Sequence, residues 1–249
     1  MQPNKTSQSL ALPIAIVAGF SIIATAIFFS GSGTMRAEPT HQAATNTLPD
    51  FEELATRLHE PIAIISSADN IRGNPNAPVM FVTYTNYECP SCRNFHLSMN
   101  RILQEYGQQG DIAWTFRHLP LERDYPNANR VANAAECVAE LGGNQAFWIF
   151  SDELFRDRSS LGPTRLSQLP QYATTAGVLE TDFNRCMNEE RHLEEINSQA
   201  DDATASGAFS IPYTVVMAGE EIGVINGSVP HADLRQIVES AIAETRTTQ

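Results

Sequence analysis

The stretch "APVMFVTYTNYECPSCRNFH", residues 77–96, constrains the fold more than any other. Ala77 to Tyr87 is β-branched and aromatic and reads as a strand. It lacks strict alternation, so both faces of that strand are expected to be covered. After Cys89 the period changes: Cys92, Phe95, Met99, Ile102, Leu103 and Tyr106 recur at helical spacing, and Gly107 stops the run. Pro90 falls in the first helical turn, where a missing N–H costs nothing. A buried strand therefore feeds a helix at a C-x-x-C pair. That spacing alone fits a redox couple, half of a zinc site, or two small residues in a helix.

The junction favours sulfur chemistry. A thiol at a helix start faces unpaired N–H groups and the positive end of the dipole, which favour the thiolate. Cys89 is placed there as nucleophile; Cys92, a turn later, is the more covered resolving partner. A structural zinc site would need a second C-x-x-C or a compact Cys/His cluster, and neither follows. His96 lies one turn beyond Cys92 and is read as a surface or hydrogen-bonded histidine at the helix edge. No metal is expected.

The compartment bears on the same question. No charged side chain occurs between Lys5 and Arg36, and "LALPIAIVAGFSIIATAIFF", residues 10–29, is long enough as a helix to cross a bilayer. An uncleaved signal-anchor is expected, with a signal peptide cut in "SGSG" as the rival. Both export the remainder to where disulfides persist. Residues 31–61 read as linker, with Phe51, Leu54 and Leu58 on one face of a short helix. The formal charge of −13, from 29 acidic and 16 basic residues, argues against a nucleic-acid partner.

"DIAWTFRHLPL" from Asp111 is the next strand, ending at Pro120. Helical patterns fill roughly Asn127 to Ala205, with Val131, Ala134, Ala135 and Val138 on one face before Gly142 and Gly143. Tyr213 to Met217 and Ile222 to Ile225 form a hairpin, and Leu234, Ile237, Val238 and Ile242 mark a closing helix. The order is β-α-β, a helical block, then β-β-α, as expected of a mixed sheet with an edge hairpin. Phe147 and Trp148 are assigned to the core, His118 to polar capping, Arg117 to an unidentified buried acid, and His231 to solvent.

In this order the motifs "GNPNAPV", "NYECPSCRNFH", "FRHLPL", "ANAAECVAELGG" with "FW", "SIPYT" and "INGSVPHADLRQIV" resemble DsbA-like disulfide oxidoreductases, in their membrane-anchored or exported bacterial branch. The resemblance covers about residues 70 to 245. It implies an α/β thioredoxin fold with an inserted helical subdomain. The domains expected are a cytoplasmic tail and transmembrane anchor over 1–30, a linker over 31–61, and the DsbA-like domain over 62–245 with its insertion at about 122–208. Single-pass placement in the inner membrane with a periplasmic domain follows, the alternative being a soluble periplasmic form after cleavage.

The resemblance also implies roles. Cys89 would be the exposed nucleophile and Cys92 its partner, with Pro90 and Ser91 completing the motif. Pro212 matches the family's cis-proline, and Ile211 the residue whose backbone holds a substrate peptide. Ser91 stands where a histidine often sits, and Glu88 precedes the nucleophile; both bear on oxidising strength. Cys137 and Cys186 are expected to form a structural disulfide, the other reading being two buried free thiols. The implied function is disulfide donation to cysteine-containing exported polypeptides, with a quinone-linked inner-membrane partner and no bound cofactor. The alternatives are a periplasmic reductase or isomerase, or a peptide- or copper-binding module.

Overall fold

The computed structural model describes residues 62–157 and 163–247. Strands β1 (Asn70–Gly73), β2 (Val79–Thr85), β3 (Ile112–His118), β4 (Tyr213–Ala218) and β5 (Glu221–Asn226) form one sheet in the order β1-β3-β2-β4-β5. β2 and β3 are parallel, in register from Val79 opposite Ile112 to Thr85 opposite His118. The other three pairings, β1 with β3, β2 with β4 and β4 with β5, are antiparallel. The sheet is therefore mixed, with the expected hairpin at one edge.

Among the described residues six α-helices accompany it: α1 (Pro90–Tyr106), α2 (Ala128–Asp157), α3 (Leu169–Thr175), α4 (Glu180–Glu189), α5 (Leu193–Ala205) and α6 (His231–Thr247). Every residue of β2 and β3 is buried. Their side chains alternate between two apolar clusters. Val79, Phe81, Ile112, Trp114 and Phe116 join α1, α6 and the insertion on one face. Met80, Val82, Tyr84 and Ala113 pack with Ala203 of α5 and with β4 on the other. Near-continuous apolar runs are what a doubly covered central strand requires.

The helical block expected between the second strand and the hairpin is present as α2 to α5. Gly142 and Gly143 divide α2 into two helical stretches that meet at a kink, where the sequence pattern also breaks. Gly143 sits at φ 76°, ψ −177°, a backbone region that residues with a Cβ essentially never occupy. Phe147 and Trp148 beyond the bend are buried in the larger cluster, as assigned.

The membrane expectation is corrected. Among the described residues no helix is long and apolar enough to cross a membrane. The longest, α2, has 30 residues but is bent at Gly143 and carries Arg130, Glu136, Asp152 and Arg156. The apolar segment 10–29, the linker and its short helix lie outside the described residues. With the anchor go the single-pass inner-membrane placement and membrane contact through an N-terminal helix. The quinone-linked partner, whose encounters the tether was to favour, is set aside too.

β1 has no counterpart among the expected strands. Its four residues, "NIRG", carry no strand period, and the pairing with β3 alone creates the strand.

Candidate active site

β2 delivers the chain to the site. After Thr85 the Asn86 side chain accepts the Glu88 N–H at 2.8 Å, and the Asn86 carbonyl accepts the Cys89 N–H at 3.2 Å, turning the chain into α1. Cys89 is the N-cap of α1, with extended φ −87° and ψ 123°, and Pro90 takes the first helical position. The Cys89 sulfur accepts the Cys92 N–H at 3.1 Å. It therefore satisfies a helix N–H that would otherwise be orphaned, a role usually filled by a side-chain oxygen. No acidic residue lies in the first turn of α1, so the positive end of the helix dipole acts on this sulfur unopposed from within the helix.

Cys89 and Cys92 are disulfide-bonded, with Cα atoms 5.2 Å apart. The nucleophile expected to be exposed is not: Cys89 and Cys92 each retain 1% of their accessible surface. The cis Ile211–Pro212 peptide, which leads into β4, comes against the pair. The Ile211 carbonyl oxygen lies 3.9 Å from the Cys89 sulfur. The Ser91 hydroxyl lies 3.0 Å from that sulfur and 3.2 Å from the Ile211 oxygen, so its single proton can serve either. Gly227 N–H donates to the Pro212 carbonyl at 2.8 Å, fixing this loop to the end of β5. The structure thus brings Cys89, Ser91, Cys92, Ile211 and Pro212 together, with Pro90 on the exposed side.

Among the described residues no cation is bonded to the Cys89 sulfur; its partners are a hydroxyl, an amide and a carbonyl. Glu88 is 2% exposed and its carboxylate is committed elsewhere, accepting the backbone N–H of Asn127 at 3.0 Å and that of Thr164. It ties the strand–helix junction to the start of α2 rather than standing free beside Cys89.

Beneath the pair lies a polar network that no sequence motif announces. His96, a turn beyond Cys92, is buried, with Nε2 2.7 Å from Asp152 of α2. Asp152 also accepts two hydrogen bonds from Arg72 of β1, at 3.2 and 2.9 Å, and one from Asn100 at 3.0 Å. The Arg72 guanidinium stacks 4.3 Å over Trp148. Burial lowers the His96 pKa, and the carboxylate only partly offsets this. Burial alone would raise Asp152, but hydrogen bonds and charge from His96 and Arg72 outweigh it and hold the carboxyl well below the usual range. Nε2–H donates to the carboxylate, while the buried Nδ1 has no partner among the described residues.

His118 is not a capping residue: it is buried, 2.7 Å from Glu136. The acids of Arg117 are Asp69 and Asp202, at 2.7 and 3.0 Å. His231 opens α6 and reaches Glu105 at 3.1 Å. Cys137 of α2 and Cys186 of α4 are fully buried and bonded, Cα atoms 5.8 Å apart, well away in sequence from the Cys89–Cys92 junction. No periodicity or spacing distinguishes Asp152, Arg72 or Glu136 from ordinary surface charges.

Residues 66–240 match the family described as thioredoxin. Among curated proteins, the Na(+)/H(+) antiporter NhaA 1 of Mycolicibacterium gilvum is 30% identical over 174 residues, covering 69% of this chain and 27% of that protein. NhaA 3 of Salinispora tropica is 30% identical over 178 residues, covering 72% and 25%. The chain spans about a quarter of the length of these curated relatives. Among solved structures, oxidised BdbD from Bacillus subtilis superposes with a TM-score of 0.65 at 18% identity, covering 75% of this chain and 98% of that one. The α-DsbA1 protein of Wolbachia pipientis gives 0.64 at 18%, covering 74% and 96%. The catalytic domain of Proteus mirabilis ScsC gives 0.55 at 20%, covering 72% and 91%. At these identities the likeness is one of fold.

Proposed function

The chain belongs to the thioredoxin family, and from its Cys89–Cys92 disulfide we propose a thiol–disulfide oxidoreductase acting on cysteine-containing polypeptides. The observation that carries this is the placement of the Cys89 sulfur: it caps α1, accepts the Cys92 amide and faces the Ile211–Pro212 backbone. Cys89 takes the attacking role because the helix start stabilises its thiolate. Cys92 resolves, and Ile211 with Pro212 lines the approach of an extended chain.

Exchange proceeds through a mixed disulfide. In the reduced enzyme the Cys89 thiolate attacks one sulfur of a client disulfide, bonding to it and expelling the other as thiolate. Cys92, deprotonated, then attacks the Cys89 sulfur and releases the second client thiolate. Two electrons pass to the client, and the enzyme is left in the disulfide form. A dithiol donor restores it. Run backwards, the same steps donate a disulfide.

Of the two directions, reduction or isomerisation has the better support. The sulfur's partners are uncharged, Ser91 supplies no positive charge, and the stabilisation of the thiolate rests on one amide and the helix dipole. Less thiolate stabilisation means a less oxidising couple. The Cys137–Cys186 bond supports work on polypeptides of an oxidising compartment.

The test is the reduction potential of the Cys89–Cys92 couple in the whole chain, with Cys137 and Cys186 followed separately by mass spectrometry. A value near about −270 mV supports the reductase reading, and one near about −120 mV restores disulfide donation to exported proteins. A Cys92→Ala variant should accumulate mixed disulfides with client peptides, whereas Cys89→Ala should form none. Undiminished exchange by Cys89→Ala would sink the assignment.

A further inference from the structure

The second disulfide is surrounded by metal-ligating side chains that the exchange chemistry does not use. Cys137 Sγ, Cys186 Sγ and a ring nitrogen of His192 all lie within 4.8 Å of one another. Glu140, one helical turn from Cys137 on α2, adds a carboxylate. Its Oε2 is 2.9 Å from His192 Nε2 and 3.7 Å from Cys186 Sγ. Its other oxygen, Oε1, is held by Arg191. The four groups come from three places, α2, α4 and the residue preceding α5, and converge on one point.

We propose that reduction of the Cys137–Cys186 bond opens a metal site in which the two thiolates, His192 and the Glu140 carboxylate bind one Zn²⁺-like cation. Two sulfurs, one imidazole and one carboxylate form a donor set suited to tetrahedral zinc, with Zn–S bonds near about 2.3 Å. The bonded sulfurs hold the position now. Once separated, they gain the room a tetrahedral ion needs between them.

The outer contacts fit this arrangement. The Asn133 amide N–H lies 3.9 Å from Cys137 Sγ, while its carbonyl oxygen accepts the His192 backbone N–H at 3.2 Å, so one side chain positions two ligands. Glu195 Oε2 lies 3.7 Å from His192 Nδ1, where a carboxylate can hold the proton on that nitrogen and leave Nε2 free to bind. Arg191 offsets the surplus negative charge of two thiolates and a carboxylate around a divalent ion. Access is from one side, since His192 and Glu140 keep partial exposure while both sulfurs are buried.

The step balances. A dithiol reductant attacks the Cys137–Cys186 bond, passes through a mixed disulfide and closes its own disulfide. Two electrons thereby convert Cys137 and Cys186 to thiols. The cation then displaces two thiol protons to solvent as both Zn–S bonds form. Reoxidation expels the ion. The insertion would thus be pinned by a disulfide under oxidising conditions and by a metal under reducing ones.

The experiment uses the full chain carrying Cys89→Ala and Cys92→Ala, so that only Cys137 and Cys186 supply thiols. It is reduced with a phosphine, freed of reductant without air, and titrated with Co²⁺ alone. One equivalent should bring up the visible bands of tetrahedral cobalt and the near-ultraviolet thiolate-to-cobalt transition, both erased by Zn²⁺. The oxidised protein should show neither. His192→Ala should weaken binding at least tenfold, and Glu195→Ala by about tenfold. A second arm carries out the reduction with Zn²⁺ already present and counts bound metal by native mass spectrometry, which covers unfolding of the reduced apo chain. No bound metal in both arms overturns the proposal, as do equal binding by the oxidised chain or full affinity in His192→Ala.

Discussion

His96 Nε2 and the Asp152 carboxylate, 2.7 Å apart, join the helix that carries Cys92 to the far half of the inserted helix α2. Arg72 reaches the same carboxylate from β1, so sheet, active-site helix and insertion meet at one half-buried acid. Four charge-assisted or polar bonds from three side chains converge there.

This junction should make the fold acid-sensitive in two stages. His96 binds its proton less readily folded than unfolded, so the unfolded chain is protonated first as pH falls below about 6.5 and stability declines there. Asp152 is depressed in the fold; its contribution is complete above about pH 4 and is lost as pH falls toward its lower folded value. Asp152→Asn should cost about 2 kcal/mol at pH 7, less below pH 4. Urea midpoints from pH 8 to 3 check both, and a flat profile between pH 7 and 5 would contradict the lowered His96 pKa.

Arg117 is the second such hub. Its guanidinium bonds Asp69 and Asp202, the carbonyls of Ala63 and Ile64 and the Tyr84 hydroxyl, holding residues 62–69 against β3 and α5. Arg117→Met leaves two largely buried carboxylates without their cation and should cost about 3–5 kcal/mol. Amide exchange should rise first in residues 62–69. Protection there equal to that of the parent chain would show that the segment is held by other means.

The bend in α2 gives a backbone prediction. A Cβ on Gly143 meets no atom within 4 Å, yet φ is +76°, so Gly143→Ala should lose about 1–3 kcal/mol through conformation alone. At Gly142 the problem is space, since a Cβ would lie 2.5 Å from that of Ala146. Thermal unfolding of the two variants separates these causes, because shortening Ala146 to Gly removes the 2.5 Å contact in Gly142→Ala, leaving Val178 Cγ2 at 3.0 Å, and changes nothing for Gly143→Ala.

Ser91 tests the redox reading. Its hydroxyl is 3.0 Å from the Cys89 sulfur, so Ser91→His would set a protonatable ring beside the thiolate. A charge-assisted bond there, worth about 1.5–3 kcal/mol to the reduced form, should raise the potential by about 30–60 mV. An unchanged potential, measured at pH 6, would mean that the ring turns to solvent.

The strands β2 to β5 are legible because their apolar runs are long or end in a turn, and α1 because its period changes at the cysteines themselves. β1 is not, since pairing with β3 rather than composition makes it a strand. Cys89, Cys92, Ser91 and Pro212 can be named from local motifs. Asp152, Arg72 and Glu136 cannot: each acts through a partner 18 or more residues away, and a lone acid or arginine has the same local signature at the surface. The burial of Cys89 escapes a local reading for a related reason, as its cover comes from Ile211, 122 positions downstream. The apolar segment 10–29 lies outside the described residues.

The pairing of the cysteines has a consequence for biogenesis. Four cysteines allow three connectivities. The one observed joins the first to the second and the third to the fourth, 89 with 92 and 137 with 186. A chain oxidised progressively from its N-terminal end would find each correct partner as the next sulfur to emerge. Its maturation should therefore be indifferent to the loss of reshuffling catalysts.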